Sequence, residues 1–344
     1  MPLCRRGLVS LFVALLCALA PGYAGAAQLS GPLGSLQAQL SLATNHAPGH
    51  VAIAVEDLAT GKISGINDDA SLPAASTIKI PVMVQVFKEM EAGEIDLNTV
   101  VHMEARDRDW GWGDMADAPP GTARTVRQLL WLMITESDNT ATNMLIRRVG
   151  RRDINKTMVD LGLHKTHLGA DIRSETETIR YALRTSAHDM LDLLDGIARD
   201  KLVDSWSSRE MLTILEGQKH NGLLPAPLPK DVKIAHKTGS LHDTLNDVGI
   251  VFQDEEPYII AVMTTQLPDL DLGRAFIHKI SRITYNELSR LASWREQAGI
   301  AAFSPFRAPQ PQVTAPDMRM WDTGATSLPA VSSPPPNSSS EDDS

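Results

Sequence analysis

The chain has 344 residues, of which 43% are hydrophobic and 5% aromatic, and its formal net charge is −10. This length allows one large domain or two ordinary ones. The negative charge argues against a protein that binds the phosphate backbone of nucleic acid, and the low aromatic content argues against a surface that stacks on bases.

The first 26 residues have the parts of a secretory signal. Arg5 and Arg6 give a positive start, an apolar run follows over residues 8–20, and small residues stand at Ala24-Gly25-Ala26. We therefore expect a Sec-type signal peptide over residues 1–26 and a periplasmic or secreted protein. No stable membrane span is expected after cleavage, because the apolar run is short; the alternative is a retained membrane anchor.

The two ends limit the predicted folded domain to residues 28–303. Both cysteines, Cys4 and Cys17, lie in the signal segment, so the mature chain would hold no disulfide, thiol nucleophile or cysteine metal ligand. Residues 304–344 are rich in proline and serine and end in an acidic run. Such a segment buries too little apolar surface to offset its ordering entropy, so we expect a disordered tail.

Between the ends, hydrophobic spacing predicts a short helix, two strands, a helical block, three strands and a closing helix. The first helix is indicated by Leu33, Leu36 and Leu40, and the closing helix by apolar residues between Ile277 and Leu291. Strands are predicted over residues 51–55, 62–66, 232–236, 247–252 and 258–264. Because strands far apart in sequence can share one sheet, this order predicts an α+β fold with a five-stranded antiparallel sheet, flanking helices and an inserted all-helical lobe at about residues 74–220.

A Ser-x-x-Lys pattern, Ser76-Thr77-Ile78-Lys79, opens the helical block. A spacing of three places both side chains on one helix face, one turn apart. A serine hydroxyl becomes nucleophilic when a base takes its proton, and a lysine is such a base when burial or a nearby cation lowers its pKa. The N–H groups at the helix start can stabilise a developing oxyanion. Alone, however, the pattern is equally typical of a capping serine beside a solvated lysine.

Two further motifs give the pattern its meaning. Ser137-Asp138-Asn139 stands 61 residues beyond Ser76, and Lys237-Thr238-Gly239 stands 100 residues beyond Ser137 at the end of a predicted strand. Separately, they are typical of a turn and of a strand end. Together and in this order, the three motifs form a recognised catalytic set.

With these motifs the chain resembles the class A β-lactamases and the related penicillin-binding serine hydrolases over residues 33–298. Supporting segments are Pro120-Gly121-Thr122, residues 139–143 and residues 246–250. The resemblance implies an α/β/α sandwich that opens β-lactam rings or cleaves cell-wall peptides through an acyl-enzyme. We expect a monomer with no metal and no organic cofactor.

The resemblance also implies a role for each motif residue. Ser76 would be the nucleophile, Lys79 would take or relay its proton, and Ser137 would pass a proton to the departing nitrogen. Asn139 would bind the substrate side-chain amide, and Lys237 and Thr238 would hold the substrate carboxylate. Gly239 and Ser240 would also bind substrate. The oxyanion hole would consist of the backbone N–H groups of Ser76 and Ser240.

One element of the family pattern is missing from the sequence. Class A β-lactamases carry a glutamate that activates water to cleave the acyl-enzyme, and ungapped alignment places Ile172 at that position. Glu175 and Glu177 follow closely, and Glu175 is the candidate catalytic acid if the loop reshapes. Solvated surface acids are the alternative interpretation of both.

Three functions therefore remain open at this point. The first is β-lactam hydrolysis. The second is a D-Ala-D-Ala peptidase, an esterase or a penicillin-binding protein with slow deacylation. The third is a non-catalytic binding protein of the same fold.

Other candidate sites carry less chemistry. His188, His220, His236 and His242 lack the spacing of metal ligands, and His236 is predicted to be structural or to line the rim of the cleft. The segment Asp109-Trp110-Gly111-Trp112-Gly113 is predicted to form either the edge of the cleft or a packed loop.

Overall fold

The structure is a computed structural model, and it describes residues 32–174, 178–253 and 257–299. Within these residues the strands, in chain order, are β1 (His50–Asp57), β2 (Lys62–Ile66), β3 (Leu72–Pro73), β4 (Val100–His102), β5 (Ala123–Thr125), β6 (His167–Leu168), β7 (Leu183–Thr185), β8 (Lys233–Leu241), β9 (Thr244–Phe252) and β10 (Tyr258–Thr265). The helices are α1 (Pro32–Thr44), α2 (Lys79–Glu91), α3 (Val126–Trp131), α4 (Asn139–Val149), α5 (Arg151–Asp160), α6 (Thr178–Ala182), α7 (Ala187–Ala198), α8 (Ser205–Glu216) and α9 (Leu270–Gln297).

The main sheet has five strands in the order β2-β1-β10-β9-β8, and each neighbouring pair is antiparallel. The predicted α+β fold with a five-stranded sheet built from both ends of the chain is therefore confirmed. The strands β9 and β10 are buried along almost their whole length, because both faces of the sheet are covered. One detail differs from the prediction: β8 does not end at the Lys237 motif. It continues to Leu241, because a two-residue connection leads directly into β9 and pairing persists to the turn.

Two hydrophobic clusters cover the two faces of the sheet. Helices α1 and α9 pack together on one face, where Leu36, Leu40 and Ile277 meet inward side chains of β1 and β10. On the other face α7 lies across β1 and β10 and joins the core of the helical block. The arrangement is the predicted helix–sheet–helix sandwich, and α1 confirms the helix predicted from the leucine spacing.

The helical block lies between β2 and β8, as predicted, with α2 through its centre. Almost every residue of α2 is buried, which is the pattern of a helix enclosed on all sides rather than of a surface helix. The block also contains two small sheets, one of β3, β7 and β6 and one of β4 and β5. Their strands have two or three residues each, too few for an alternating pattern to appear in the sequence.

The predicted signal peptide over residues 1–26 and the predicted tail over residues 304–344 lie outside the described residues, and both stay predictions. Among the helices that the structure describes, none has the length and apolar character needed to cross a membrane.

Candidate active site

Ser76 stands where the sheet meets the helical block. It lies in a 3₁₀ turn, Ala75–Ile78, that runs directly into α2, and its side chain borders a cleft of about 680 Å³. Ala75 holds a left-handed backbone with φ of 48°, a conformation that costs alanine energy and is commonly found at functional sites. A Cβ added to Gly239 on β8 would lie 3.0 Å from the backbone nitrogen of Ser76. The glycine therefore lets the strand approach the serine closely.

Lys79 is fully buried one turn further along. Its Nζ donates hydrogen bonds to the Ser137 carbonyl oxygen at 2.7 Å, to Ser137 Oγ at 3.0 Å and to Asn139 Oδ1 at 2.7 Å. Burial, reinforced by the charge of Lys237, holds the pKa of Lys79 well below its usual range. A lysine of this kind can accept a proton near neutral pH.

Ser137 follows a widened turn of π-helix, Leu132–Glu136, and has a left-handed backbone with φ of 60°. Turns of π-helix inside longer helices often occur at functional sites. This geometry aims the Ser137 hydroxyl at the cleft between two lysines, with Lys237 Nζ donating to Ser137 Oγ at 3.1 Å. One hydroxyl thus contacts the Nζ atoms of both lysines, as a proton relay requires.

Lys237 is buried on β8. Its Nζ also donates to the Thr238 carbonyl oxygen at 2.9 Å. Burial lowers the pKa of Lys237 to about 7, although the Asp247 carboxylate acts in the opposite direction. Thr238, Gly239 and Ser240 follow along the same wall of the cleft, and their role in binding substrate stays a prediction.

Asp138 and Asn139 fix the second motif in place. Asp138 caps α4 by accepting a hydrogen bond from Ala141 N at 2.7 Å, and it also accepts one from Met115 N at 2.7 Å. A Cβ on Gly113 would lie 2.3 Å from the Asp138 carboxylate, so this position requires glycine.

The amide of Asn139 is fully engaged within the protein. Its Oδ1 accepts from Lys79, while its Nδ2 donates to Asp109 Oδ1 at 3.0 Å and to Ser174 Oγ at 2.9 Å. Both amide hydrogens therefore have protein partners, and a substrate amide would have to displace one of them.

A scan against protein families matches the β-lactamase enzyme family over residues 35–288. This chain belongs to that family. Among curated members, β-lactamase VEB-1 of Pseudomonas aeruginosa is 23% identical over 240 residues, which cover 64% of this chain and 79% of VEB-1. A β-lactamase of Streptomyces fradiae is 26% identical over 245 residues, covering 66% and 78% of the two chains.

Solved structures agree with this placement. A β-lactamase of Sphaerobacter thermophilus is 28% identical with a TM-score of 0.69, covering 74% of this chain and 98% of that one. PBP-A is 29% identical with a TM-score of 0.70, covering 75% and 97%. A mutant of PBP-A has been solved as an acyl-enzyme complex with penicillin G. The three motifs of this family member thus have the setting of a serine β-lactamase or of a penicillin-binding protein.

Ile172 is the residue that ungapped alignment places at the position of the family's glutamate. Its side chain is buried at the cleft wall. Its backbone is held by Asn143, whose Oδ1 accepts from Ile172 N at 2.8 Å and whose Nδ2 donates to Ile172 O at 3.0 Å. Glu175 and Glu177 lie outside the described residues, so the assignment of Glu175 as a catalytic acid stays a prediction.

Asp109 and Ser174 are site residues that the sequence motifs did not reveal. The Asp109 carboxylate is buried and accepts hydrogen bonds from Asn139, from Ser174 Oγ at 2.5 Å and from Ser174 N at 2.7 Å. Burial acts to raise the pKa of Asp109, but these hydrogen bonds hold it below the usual range. The only hint in the sequence was the glycine at position 111. The structure explains that glycine, because a Cβ there would lie 2.1 Å from the Ser174 side chain.

The aromatic segment forms the edge of the cleft, one of its two predicted placements. Gly111 and Trp112 border the cleft, and the Trp110 and Trp112 side chains are exposed. His236, predicted to be structural or at the rim, is fully buried. Within the described ranges, no cluster of three or more histidine, aspartate or glutamate side chains is arranged to hold a metal ion.

Proposed function

We propose that this family member opens β-lactam rings by nucleophilic attack of Ser76. The Ser76 Oγ bonds to the lactam carbonyl carbon and the ring C–N bond breaks. Neutral Lys79 accepts the hydroxyl proton, and Ser137 gives its own proton to the departing nitrogen while it is reprotonated from the lysine side. The observation that carries this proposal is the position of Ser137 Oγ, 3.0 Å from Lys79 Nζ and 3.1 Å from Lys237 Nζ.

The charges of the cleft favour an anionic substrate. Lys237 and Thr238 supply the predicted carboxylate site, and the arginines 173, 180 and 274 also border the cleft. Each of these arginines also lies within ion-pair distance of an aspartate, with Arg180 2.7 Å from Asp243, so Lys237 is the cation on which this proposal relies. The acyl-enzyme of a PBP-A mutant with penicillin G supports a penicillin as the ligand. The same proposal assigns the oxyanion hole to the backbone N–H groups of Ser76 and Ser240.

The fate of the acyl-enzyme separates two functions. Hydrolysis, which would make the protein a β-lactamase, needs a base that activates water, and Glu175 is our candidate for it. A penicillin-binding protein or D-Ala-D-Ala peptidase would release a β-lactam slowly. The buried apolar side chain of Ile172 favours this second function, because it cannot activate water. We place either activity outside the cytoplasm on the strength of the predicted signal peptide.

A chromogenic cephalosporin with the purified mature chain distinguishes these functions. The β-lactamase proposal predicts sustained turnover that far exceeds the enzyme concentration. A colour burst equal to the enzyme concentration, followed by little further change, would contradict hydrolysis and support slow deacylation. Release of D-alanine from a peptide ending in D-Ala-D-Ala, measured in parallel, would then identify the peptidase.

A further inference from the structure

A buried imidazole–carboxylate pair lies directly behind Lys237. His236 precedes Lys237 on β8, and its Nδ1 is 2.8 Å from Asp247 Oδ1 on β9. Neither side chain is exposed beyond 1%. The other Asp247 oxygen accepts from Leu224 N at 2.9 Å. A Cβ on Gly249 would lie 2.5 Å from His236 Cβ, so the neighbouring strand leaves room for the ring.

The second ring nitrogen also faces an oxygen. His236 Nε2 is 2.9 Å from Asn221 Oδ1, and Asn221 Nδ2 donates to the Gln218 carbonyl at 3.1 Å, which fixes the orientation of the amide. Both ring nitrogens thus have a protein oxygen as partner, so His236 links Asp247 on β9 to Asn221. Loss of one member of this buried group leaves polar atoms of the others without a partner.

The same chain of hydrogen bonds reaches the turn that carries Ser137. Gln218 Nε2 donates to the Ile134 carbonyl at 3.0 Å, and Lys219 N donates to the Thr135 carbonyl at 3.2 Å. Both carbonyls belong to the π-helical turn before Ser137. Hydrogen bonds within the protein thus connect the strand behind Lys237 with the turn before Ser137. The Lys237 and Ser137 side chains also contact each other in the cleft.

We propose that His236, Asp247 and Asn221 are positioning residues of the acylation step, which fix Ser137 against Lys237 and set the charge of Lys237. This inference rests on the proposed acylation of Ser76. The titratable groups near Lys237 are Lys79 on α2, His236 beside it on β8 and Asp247 on β9, while the carboxylates of Asp138 and Asp109 act on Lys79. The Asp247 carboxylate raises the pKa of Lys237 against burial, so it maintains the cation that attracts the substrate.

The test is Asp247→Asn, with the second-order rate of acylation by benzylpenicillin measured from pH 5 to pH 10. Loss of the carboxylate lowers the pKa of Lys237, so the alkaline limb moves to lower pH. If the apparent pKa of this limb falls by one unit, the acylation rate on its alkaline side falls by about tenfold. A folded variant whose limb and rate match the wild type would overturn the proposal.

The matched control is Asp57→Asn, a buried carboxylate on β1 that accepts from Arg295 at 3.0 Å. It should lower the melting temperature and leave the pH limb in place; an equal limb shift in the control would also overturn the proposal. If Asp247→Asn does not fold, the proposal is tested with Asn221→Ala, a substitution of an exposed residue. Loss of its hydrogen bond predicts acylation slower by about threefold at an unchanged melting temperature. A wild-type rate in that variant would overturn the proposal.

A second reagent separates this inference from the proposed function. A fluorophosphonate phosphonylates an activated serine without a lactam ring, and the same variants are compared with it. A wild type that reacts with the fluorophosphonate but with no β-lactam would contradict the proposed function. The rate of fluorophosphonate labelling in the variants would then still measure the effect of His236 and Asp247 on Ser76.

Discussion

Lys237 is the residue whose charge most directly controls the cleft. It is fully buried, touches Ser137, and lies near Lys79, so its cationic form is disfavoured by burial and retained partly through Asp247. Burial and the charge of Lys237 both lower the pKa of Lys79, while the carboxylates of Asp138 and Asp109 act in the opposite direction. The pair therefore divides its roles, with Lys79 suited to accept a proton and Lys237 suited to hold an anion.

This arrangement predicts a pH-dependent stability. The pKa of Lys237 is about 7 in the folded protein and 10.5 in the unfolded chain, so between these values the unfolded state holds more protons and stability rises with pH. Lys237→Met removes this dependence, which amounts to at most about 1.4 kcal/mol per pH unit. Urea unfolding of both proteins from pH 6.5 to pH 9 measures the difference.

The variant should be more stable than the wild type near pH 6.5, and the gap should narrow as pH rises. Lys62→Met, on the exposed end of β2, is the control and should keep the wild-type slope. Equal slopes in wild type and Lys237→Met would contradict a depressed pKa.

The individual motif residues could be predicted from the sequence, because spacing along the chain identifies Ser76, Lys79, Ser137 and Lys237. The saturation of the Asn139 amide could not, since Asp109 and Ser174 lie 30 and 35 residues away and their contacts depend on the folded loops. The buried role of His236 likewise depends on Asp247, a partner across the hairpin.

Among the elements, the close approach of β8 to the Ser76 turn is the constraint that bears most directly on the nucleophile. Gly239→Ala would place a Cβ 3.0 Å from Ala74 O, Ala75 Cβ and Ser76 N, so strand and turn must separate. We expect acylation of Ser76 to fall by more than about tenfold, because a displacement of the nucleophile disrupts the attack geometry. Stopped-flow acylation by benzylpenicillin measures the change.

Gly162→Ala provides the control for backbone cost alone. Gly162 has φ of 83° and nothing within 4 Å of an added Cβ, so alanine there strains the backbone far from the cleft. It should lower stability by about 1–2 kcal/mol with wild-type acylation. Comparable rate losses in both variants would mean that Gly239 has no special role at the site.

The main strands and the central helices could also be predicted, because each has an apolar run or a helical period. The widened turn before Ser137 and the two small sheets could not. A π-helical turn has no residue pattern of its own, and it is held by outside donors such as Gln218 Nε2 on Ile134 O at 3.0 Å.

In the whole molecule, the cleft joins parts that are far apart in sequence. The sheet supplies β8 with Lys237, the helical block supplies the turn with Ser137, and the junction of the two supplies Ser76. The α+β plan and the position of the block were predictable from the order of the elements. How closely the two halves meet was not, because that depends on the side chains packed between them.

The proposed mechanism makes Ser76 the nucleophile that a β-lactam acylates. Intact-mass spectrometry of the mature chain after mixing with benzylpenicillin, followed by peptide mapping, tests it most directly. We expect a gain equal to the mass of one whole penicillin molecule, located on Ser76 and absent from Ser76→Ala, which keeps the wild-type melting temperature. An adduct on Ser76→Ala, or no adduct on the wild type at the earliest accessible times, would contradict it.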